Sequence, residues 1–350
     1  MDKAPSRNDK REKPPDGGVE GTIRILVADQ GTVSSGEVAR AAGVTRQAAR
    51  YHLARLVERG DLHRLGPGRG RGTRYGRTAA LALRLPLSGL EEDVIWDRIR
   101  GDLPKIPNAP ENVESILRYA FTEMLNNAVD HSGGNEVTIM FWVPGERWAF
   151  EVYDDGIGAF RHVRERLGLE DDEAALEQLT KGRETTAPER HTGEGIFFTS
   201  HMVDRFELDA NRLRWIVDTE RGDQAVGESP EHPGTRVRCE VDPETERTTL
   251  EIFDAFVDRD TFEFSRTIVP LRVFRRGDRF ISRSEAKRLG TRLDRFNEAV
   301  LDFDGIKEVG QGFVDELFRV WARDHPGTRL LPVNMSPVVE RVVLRALPRS

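Results

Sequence analysis

The chain predicts a multidomain protein of mixed α+β and α/β architecture, and three observations carry that expectation. Its 350 residues exceed one ordinary domain of roughly 100–200 residues and suggest two or three. Charge is divided unevenly: residues 1–80 carry a net +7 and the remainder −14, the asymmetry of a basic module joined to an acidic body. Residues 264–347 alternate strand-like and helix-like patterns, as a parallel or mixed sheet covered by helices requires.

Residues 1–20 are rich in proline, glycine and charge, and read as a disordered tail. They lack the apolar centre of a secretory signal. No apolar run reaches the ~18 residues a membrane span needs. Cys239 is the sole cysteine, which excludes an internal disulfide and a thiolate zinc cluster. These features place the protein in the cytoplasm, without membrane association.

Residues 21–80 form the basic module. Residues 22–29 read as a short helix. Ser34 and Glu37 have the spacing of a capping box and open a second helix over 36–43, where Gly43 supplies the turn. Thr45 caps a third helix over 46–60, ended by Gly60. Residues 61–75 read as a β-hairpin with glycine and arginine at its tip. This order resembles a winged helix-turn-helix. In that fold the start of the recognition helix enters the major groove, which implies that Thr45, Arg46, Gln47 and Arg50 meet DNA. Gln suits adenine and Arg suits guanine. Arg69, Arg71 and Arg74 on the wing would hold phosphates, which position without specifying. His52 reads as a packing residue.

Residues 81–109 are expected to be a helical linker, with a helix near 90–100. Pro104, Pro107 and Pro110 break the chain before the next domain, and Pro110 suits a first helical turn.

The next domain, over 110–245, holds the most informative residues. Glu123 and Asn127 lie four apart on one predicted helix, so both face the same way, with Asp130 and His131 one turn further on. An acid and an amide oxygen suit hydrated Mg²⁺, which takes few protein ligands plus substrate phosphate. Asp154, Gly156 and Gly158 end a predicted strand, where glycine lets backbone approach a ligand. Thr192, Gly193 and Gly195 begin a Gly-rich run, and Gly234 with Thr235 follow later.

These four boxes, in this order, resemble the GHKL ATPase superfamily of sensor histidine kinases, anti-sigma serine kinases, gyrase-type and mismatch-repair ATPases. The resemblance implies a Bergerat-type α/β sandwich that binds ATP and Mg²⁺. Asp154 would accept the adenine amino group. Asn127 would ligate Mg²⁺, with Glu123 reaching the metal through water. Glu123 would also orient or deprotonate the attacking water or hydroxyl. Gly193 and Gly195 would bring backbone N–H groups to phosphate at a helix N-terminus. Asp130, Gly156, Gly158, Thr192 and Thr235 complete the expected ATP site, and residues 181–192 would be its lid.

Residues 260–348 form the last domain. Strand patterns at 264–274, 297–305 and 328–334 alternate with helical ones at 284–296, 310–325 and 336–347. Phe313, Leu317 and Val320 are expected to share one helix face, and Ser284 to cap its helix. The run 300–313 resembles a STAS-like domain, the anti-anti-sigma fold. Gly310, Gln311 and Gly312 stand where an antagonist carries its phosphorylatable serine, and Gln cannot accept a phosphoryl group.

Together these readings describe a cytoplasmic, DNA-binding transcriptional regulator whose central domain binds Mg-ATP as a switch or hydrolyses it. The alternative is an anti-sigma-like serine/threonine kinase acting on a partner protein. The expected partners are double-stranded DNA and a protein held by the STAS-like domain, and a homodimer is compatible with either reading. A histidine kinase is disfavoured, because the proline-broken stretch before residue 110 is too short for a dimerising helical hairpin.

Overall fold

The computed structural model describes residues 18–30, 32–58, 62–65, 73–77, 79–142, 147–182, 194–258, 264–274 and 279–347. The chain divides into two compact units, one ending at Ala80 and one running from Leu81 to the C-terminus.

The first unit runs α1 (Gly18–Gln30), β1 (Thr32–Ser34), α2 (Ser35–Ala41), α3 (Arg46–Glu58), β2 (Leu62–Leu65) and β3 (Arg74–Arg77). Local chemistry sets the helix starts. The Ser34 hydroxyl accepts from Glu37 N while the Glu37 carboxylate accepts from Ser34 N, a complete capping box. Thr45 Oγ1 accepts from Ala48 N at 3.1 Å. Gly43 turns the chain at φ +65°, a conformation glycine adopts freely. The three strands form an antiparallel sheet ordered β1-β3-β2. Ile23, Val27, Val38, Ala49, Leu53 and Leu56 fill the core beneath it.

In the second unit β4 (Leu81–Pro86) and α4 (Glu92–Asp102) precede the long α5 (Glu111–His131). Then come β5 (Glu136–Trp142), β6 (Trp148–Asp154), α6 (Ala159–Leu167), α7 (Asp172–Lys181), α8 (Gly195–Met202), β7 (Arg205–Ala210), β8 (Leu213–Asp218), β9 (Asp223–Glu228), β10 (Thr235–Val241) and α9 (Thr249–Phe256). The strands build one antiparallel seven-stranded sheet ordered β4-β5-β6-β10-β7-β8-β9. Alternation along each strand sends Ile139, Phe141, Phe150, Val152, Phe206, Leu208, Val237 and Cys239 into the core shared with α5. The other face carries a buried ion network in which Arg236 and Arg214 engage Glu207 and Asp209.

Two parts of the expected linker are built into this body. β4 pairs with β5 along its whole length. α4 buries Trp96 and Ile99, and the Trp96 ring lies 5.7 Å from Phe121 and 6.4 Å from Phe141. The expectation of a helical linker over 81–109 is therefore corrected in part: a helix lies where one was expected, but Leu81–Pro86 is a strand of the sheet. The three prolines were visible, but the strand pairing that precedes them is a non-local fact.

The chain continues through β11 (Arg266–Pro270), β12 (Arg279–Phe280), α10 (Arg283–Gly290), β13 (Glu298–Asp302), β14 (Glu308–Val309), α11 (Gln311–Asp315), α12 (Ala322–Asp324), β15 (Arg329–Val333) and α13 (Pro337–Val343). β11, β13 and β15 form a parallel sheet with β13 in the centre, and β12 pairs with β14. Two expectations are corrected here. Ser282, not Ser284, caps α10, through a capping box with Glu285. Val320 is exposed while Phe318 is buried. The backbone from Glu316 to Trp321 between α11 and α12 is π-helical, and its wider turn shifts the inner face from the expected spacing.

Removing the Trp96 side chain leaves a void among Phe121 and Phe141. Trp96→Ala is expected to cost about 3–5 kcal/mol of stability. Urea unfolding followed by far-UV circular dichroism measures it, and a loss below 1 kcal/mol would show that α4 is dispensable to the core.

Candidate functional site

Three elements of the second unit, α5, β6 and β10, meet around Asp154, the last residue of β6. α5 passes behind it and ends at Ser132, whose carbonyl accepts from Ile157 N at 2.9 Å. β10 starts beside it, and Gly234 N donates to Gly156 O at 2.7 Å. The Asp154 carboxyl is 4% exposed. Its Oδ1 accepts from Gly156 N at 2.9 Å and from Thr235 N at 3.2 Å. Oδ2 receives no hydrogen bond from the described residues. Burial raises the carboxyl to about 6, against the pull of those backbone donors. Neighbouring Asp155 behaves oppositely. It is exposed, accepts from Asn135 N at 2.7 Å and Glu136 N at 2.9 Å, and is held below the usual carboxylate range by those bonds. Of two adjacent acids, one fastens the start of β5 and the other is buried with backbone donors on one oxygen only among the described residues. A buried, perturbed acid of this kind marks a candidate site.

Glycine is required at three points here. A methyl at Gly156 would overlap the Ser132 carbonyl, and one at Gly234, where φ is +67°, would overlap Asp154 itself. A methyl at Gly195 would overlap the Glu123 carboxylate. Glu123 thus lies directly against the N-terminus of α8. Thr235 Oγ1 accepts from Ala159 N at 2.9 Å and fastens the start of α6. The Asn127 side-chain nitrogen is sealed from solvent, yet no described residue hydrogen-bonds it. Such orphans are rare in proteins, and since an amide nitrogen is a donor, a bound acceptor such as a phosphate oxygen would satisfy it. The amide oxygen takes no hydrogen bond from the described residues and is the atom that could meet a cation. Asp130 is exposed on the last turn of α5, and the His131 ring lies 5.5 Å from His162.

The structure brings Asp154, Gly156, Gly234 and Thr235 together at the ends of β6 and β10 and sets Gly158 against Asn211, while Glu123 meets Gly195 more than two turns back along α5, with Asn127 between the two groups on that helix. Thr192 and Gly193 lie outside the described residues, as does nearly all of the expected lid. Two contributors escaped the sequence reading. Tyr119 stands one turn before Glu123, at the same i, i+4 spacing that joined Glu123 to Asn127. Burial, with Glu123 and Glu194 nearby, pushes its hydroxyl pKa up. Asn211, at φ +49°, clasps the glycine turn: its Nδ2 donates to Ile157 O at 2.8 Å and its Oδ1 accepts from Arg161 N at 3.0 Å. A cavity of about 490 Å³ lined by Asp171, Asp172, Glu173, Asn211 and Leu213 adjoins that turn, and its three acids make it unsuited to phosphate.

In the first unit, α3 turns Ala49, Leu53 and Leu56 inward and exposes Arg46, Gln47 and Arg50, with exposed Thr45 at its start. Among the described residues none of these three side chains forms an ion pair. Arg74 corrects an expectation. It is 8% exposed, and its guanidinium donates to Thr32 Oγ1 at 2.7 Å, Thr32 O at 2.9 Å and Glu37 Oε1 at 3.3 Å. Those donors tie β3 to β1 and α2 instead of facing outward to phosphate. Arg69 and Arg71 lie outside the described residues. His52, expected to pack, is half-buried 3.7 Å from Glu20.

Comparison with known proteins agrees with the two ends of the chain. Residues 22–68 match the model of a family of AbiEi antitoxin transcriptional regulators. Residues 285–340 match that of a STAS-like domain of unknown function. The first unit is regulator-like and the C-terminal segment STAS-like. No curated protein matches the chain. One solved structure, a proposed transcriptional regulator from Rhodococcus sp. RHA1, aligns at 18% identity over 68% of this chain and 90% of its own, with a TM-score of 0.14. That likeness is too weak to bear on fold or function. Among the described residues no helix is long and apolar enough to cross a membrane.

Two predictions follow from these geometries. Between pH ~4 and ~6 folded Asp154 holds a proton that the unfolded chain has released, so its contribution to stability falls as pH rises through that window. Asp154→Asn is therefore expected to melt above the wild type at pH 7.5, with the gap closing as pH drops below 6. Scanning calorimetry across that range decides it, and a variant that melts lower at pH 7.5 would contradict the buried charge. Arg74→Ala should destabilise the first unit by about 1.5–3 kcal/mol through loss of charged hydrogen bonds, whereas Arg50→Ala should leave it unchanged. Urea titration of both variants measures the difference.

Proposed function

We propose that this chain is a DNA-binding transcriptional regulator whose central sandwich binds Mg-ATP as GHKL proteins do. One observation carries the reading. A buried carboxylate, Asp154, has an oxygen that takes no hydrogen bond from the described residues, where the end of α5, the β6 turn and the start of β10 meet, while Glu123, more than two turns back along α5, lies against the first residue of α8. An acid held this way suits an exocyclic amino donor such as that of adenine. The N-terminal dipole of α8 favours phosphate. Asn127 would hold Mg²⁺, which when bound neutralises phosphate charge. Glu123, beside the first residue of α8, would orient or deprotonate the attacking group. DNA binding is supported by the exposed cationic start of α3, the basic excess in the first unit and the regulator-family match over that segment.

A serine kinase acting on a partner uses the same residues. At the place of the antagonist serine, Gln311 donates to Asp315 Oδ1 at 2.9 Å, so an acceptor would have to come from outside that position.

Isothermal calorimetry and a γ-phosphate label test the reading together. Asp154→Asn is expected to weaken ATP binding at least tenfold, since a hydrogen bond to a charged group contributes about 1.5–3 kcal/mol. Asn127→Ala should abolish the Mg²⁺ dependence of binding. Glu123→Ala should retain ATP but lose turnover by about 10²–10⁴-fold. Release of labelled phosphate identifies an ATPase, label on a protein a kinase, and bound but unchanged ATP a sensor. ATP affinity unaffected by Asp154→Asn would overturn the nucleotide assignment.

A further inference from the structure

On α3 the exposed arc does not stop at Arg50. Tyr51 is 60% exposed, and exposed Arg55 holds its guanidinium 5.9 Å from the centre of that ring. His52 meets the ring edge-on at 5.5 Å. The tyrosine hydroxyl takes no hydrogen bond from the described residues. A large ring left open, steadied by a cation, on the cationic face of a basic unit is placed for a polyanion that also offers apolar groups.

Helix geometry fixes the order of contacts. At 1.5 Å per residue, Tyr51 lies ~6 Å and Arg55 ~12 Å along the axis from Gln47. A major groove is ~8.5 Å deep. With Gln47 at the base edges, Tyr51 is still inside the groove while Arg55 reaches its rim, where the phosphates run. Inside the groove the apolar group available to a ring is the thymine 5-methyl. Exposed Glu58 stands one turn beyond Arg55 and would repel phosphate, which ends the contact face there.

We infer that Tyr51 reads a thymine methyl in the major groove and that Arg55, stacked on its ring, neutralises a flanking phosphate. This deepens the DNA-binding reading and rests on it. The probe is the duplex that the wild-type full chain selects from a randomised 20-base-pair pool. Replacing one thymine of that duplex by uracil is expected to weaken wild-type binding severalfold. Tyr51→Ala should lose about tenfold on the thymine duplex, the usual size of one base-pair contact, and should not respond to the uracil exchange. Tyr51→Phe should keep both affinity and methyl sensitivity. Arg55→Ala should lower the slope of log affinity against log salt by about one. Melting temperatures equal to wild type for all three variants exclude misfolding, as expected for exposed positions. A wild-type chain that binds its duplex while Tyr51→Ala binds it equally well, with no thymine sensitive to demethylation, overturns the inference and leaves the DNA reading standing. A wild-type chain that selects no duplex overturns the DNA reading and this inference with it.

Discussion

The second unit depends on how it holds the Asp154 carboxyl. A carboxylate out of water is costly unless hydrogen bonds compensate. The fold supplies two backbone donors to one oxygen, from the residues that begin the turn after β6 and the strand β10. Those bonds tie together chain segments about eighty residues apart. They require glycine at 156 and 234, because any side chain there would occupy the space of Ser132 or of the carboxyl itself. The second oxygen takes no hydrogen bond from the described residues. The local cost of that arrangement is carried by the large core behind it, where Phe121, Phe141 and Phe150 stack across α5 and the sheet.

Features set by short stretches of chain were legible in the sequence. The Ser34–Glu37 capping box, the Thr45 cap and the Gly43 turn follow from side chains acting on backbone three residues away. The placing of Glu123 and Asn127 on one helix, four residues apart, was legible from helical period alone. Features set by tertiary pairing were not. Arg74 looked like a wing residue among other arginines. Nothing local reveals that β3 pairs with β1 in a register that places it over Thr32 and Glu37. Val320 fits a perfect α-helical stripe, and only the π turn removes it. Asn211 lies more than fifty residues from the turn it clasps. Each box of the candidate site carries its own local signature, while Asn211, which braces one of its turns, comes from elsewhere in the chain.

The STAS-like segment shares the body of the central sheet. Lys181 at the end of α7 is buried, and its ammonium donates to Thr291 O at 2.8 Å while facing the Phe274 ring at 5.2 Å. Thr267 Oγ1 donates to Lys181 O at 2.6 Å, and Arg288 pairs with Glu177 at 3.3 Å. Gly182, at φ +76°, is wedged between Phe197 and Phe264. An amine this buried is tolerated only with such partners. The last turn of α7 and the start of α8 thus rest on residues of the C-terminal third.

The pairing of β4 with β5 bears on how such a chain can be cut or recombined. An exposed sheet edge invites unwanted strand pairing, and here β4 covers the edge next to the strands that frame Asp154. A fragment begun at the prolines would bare that edge and open the Trp96 pocket at once. The natural seam is at Ala80, where one compact unit ends and the next begins. Exchange of the first unit between relatives would therefore be tolerated at that seam, and a splice some thirty residues later would yield an aggregating product.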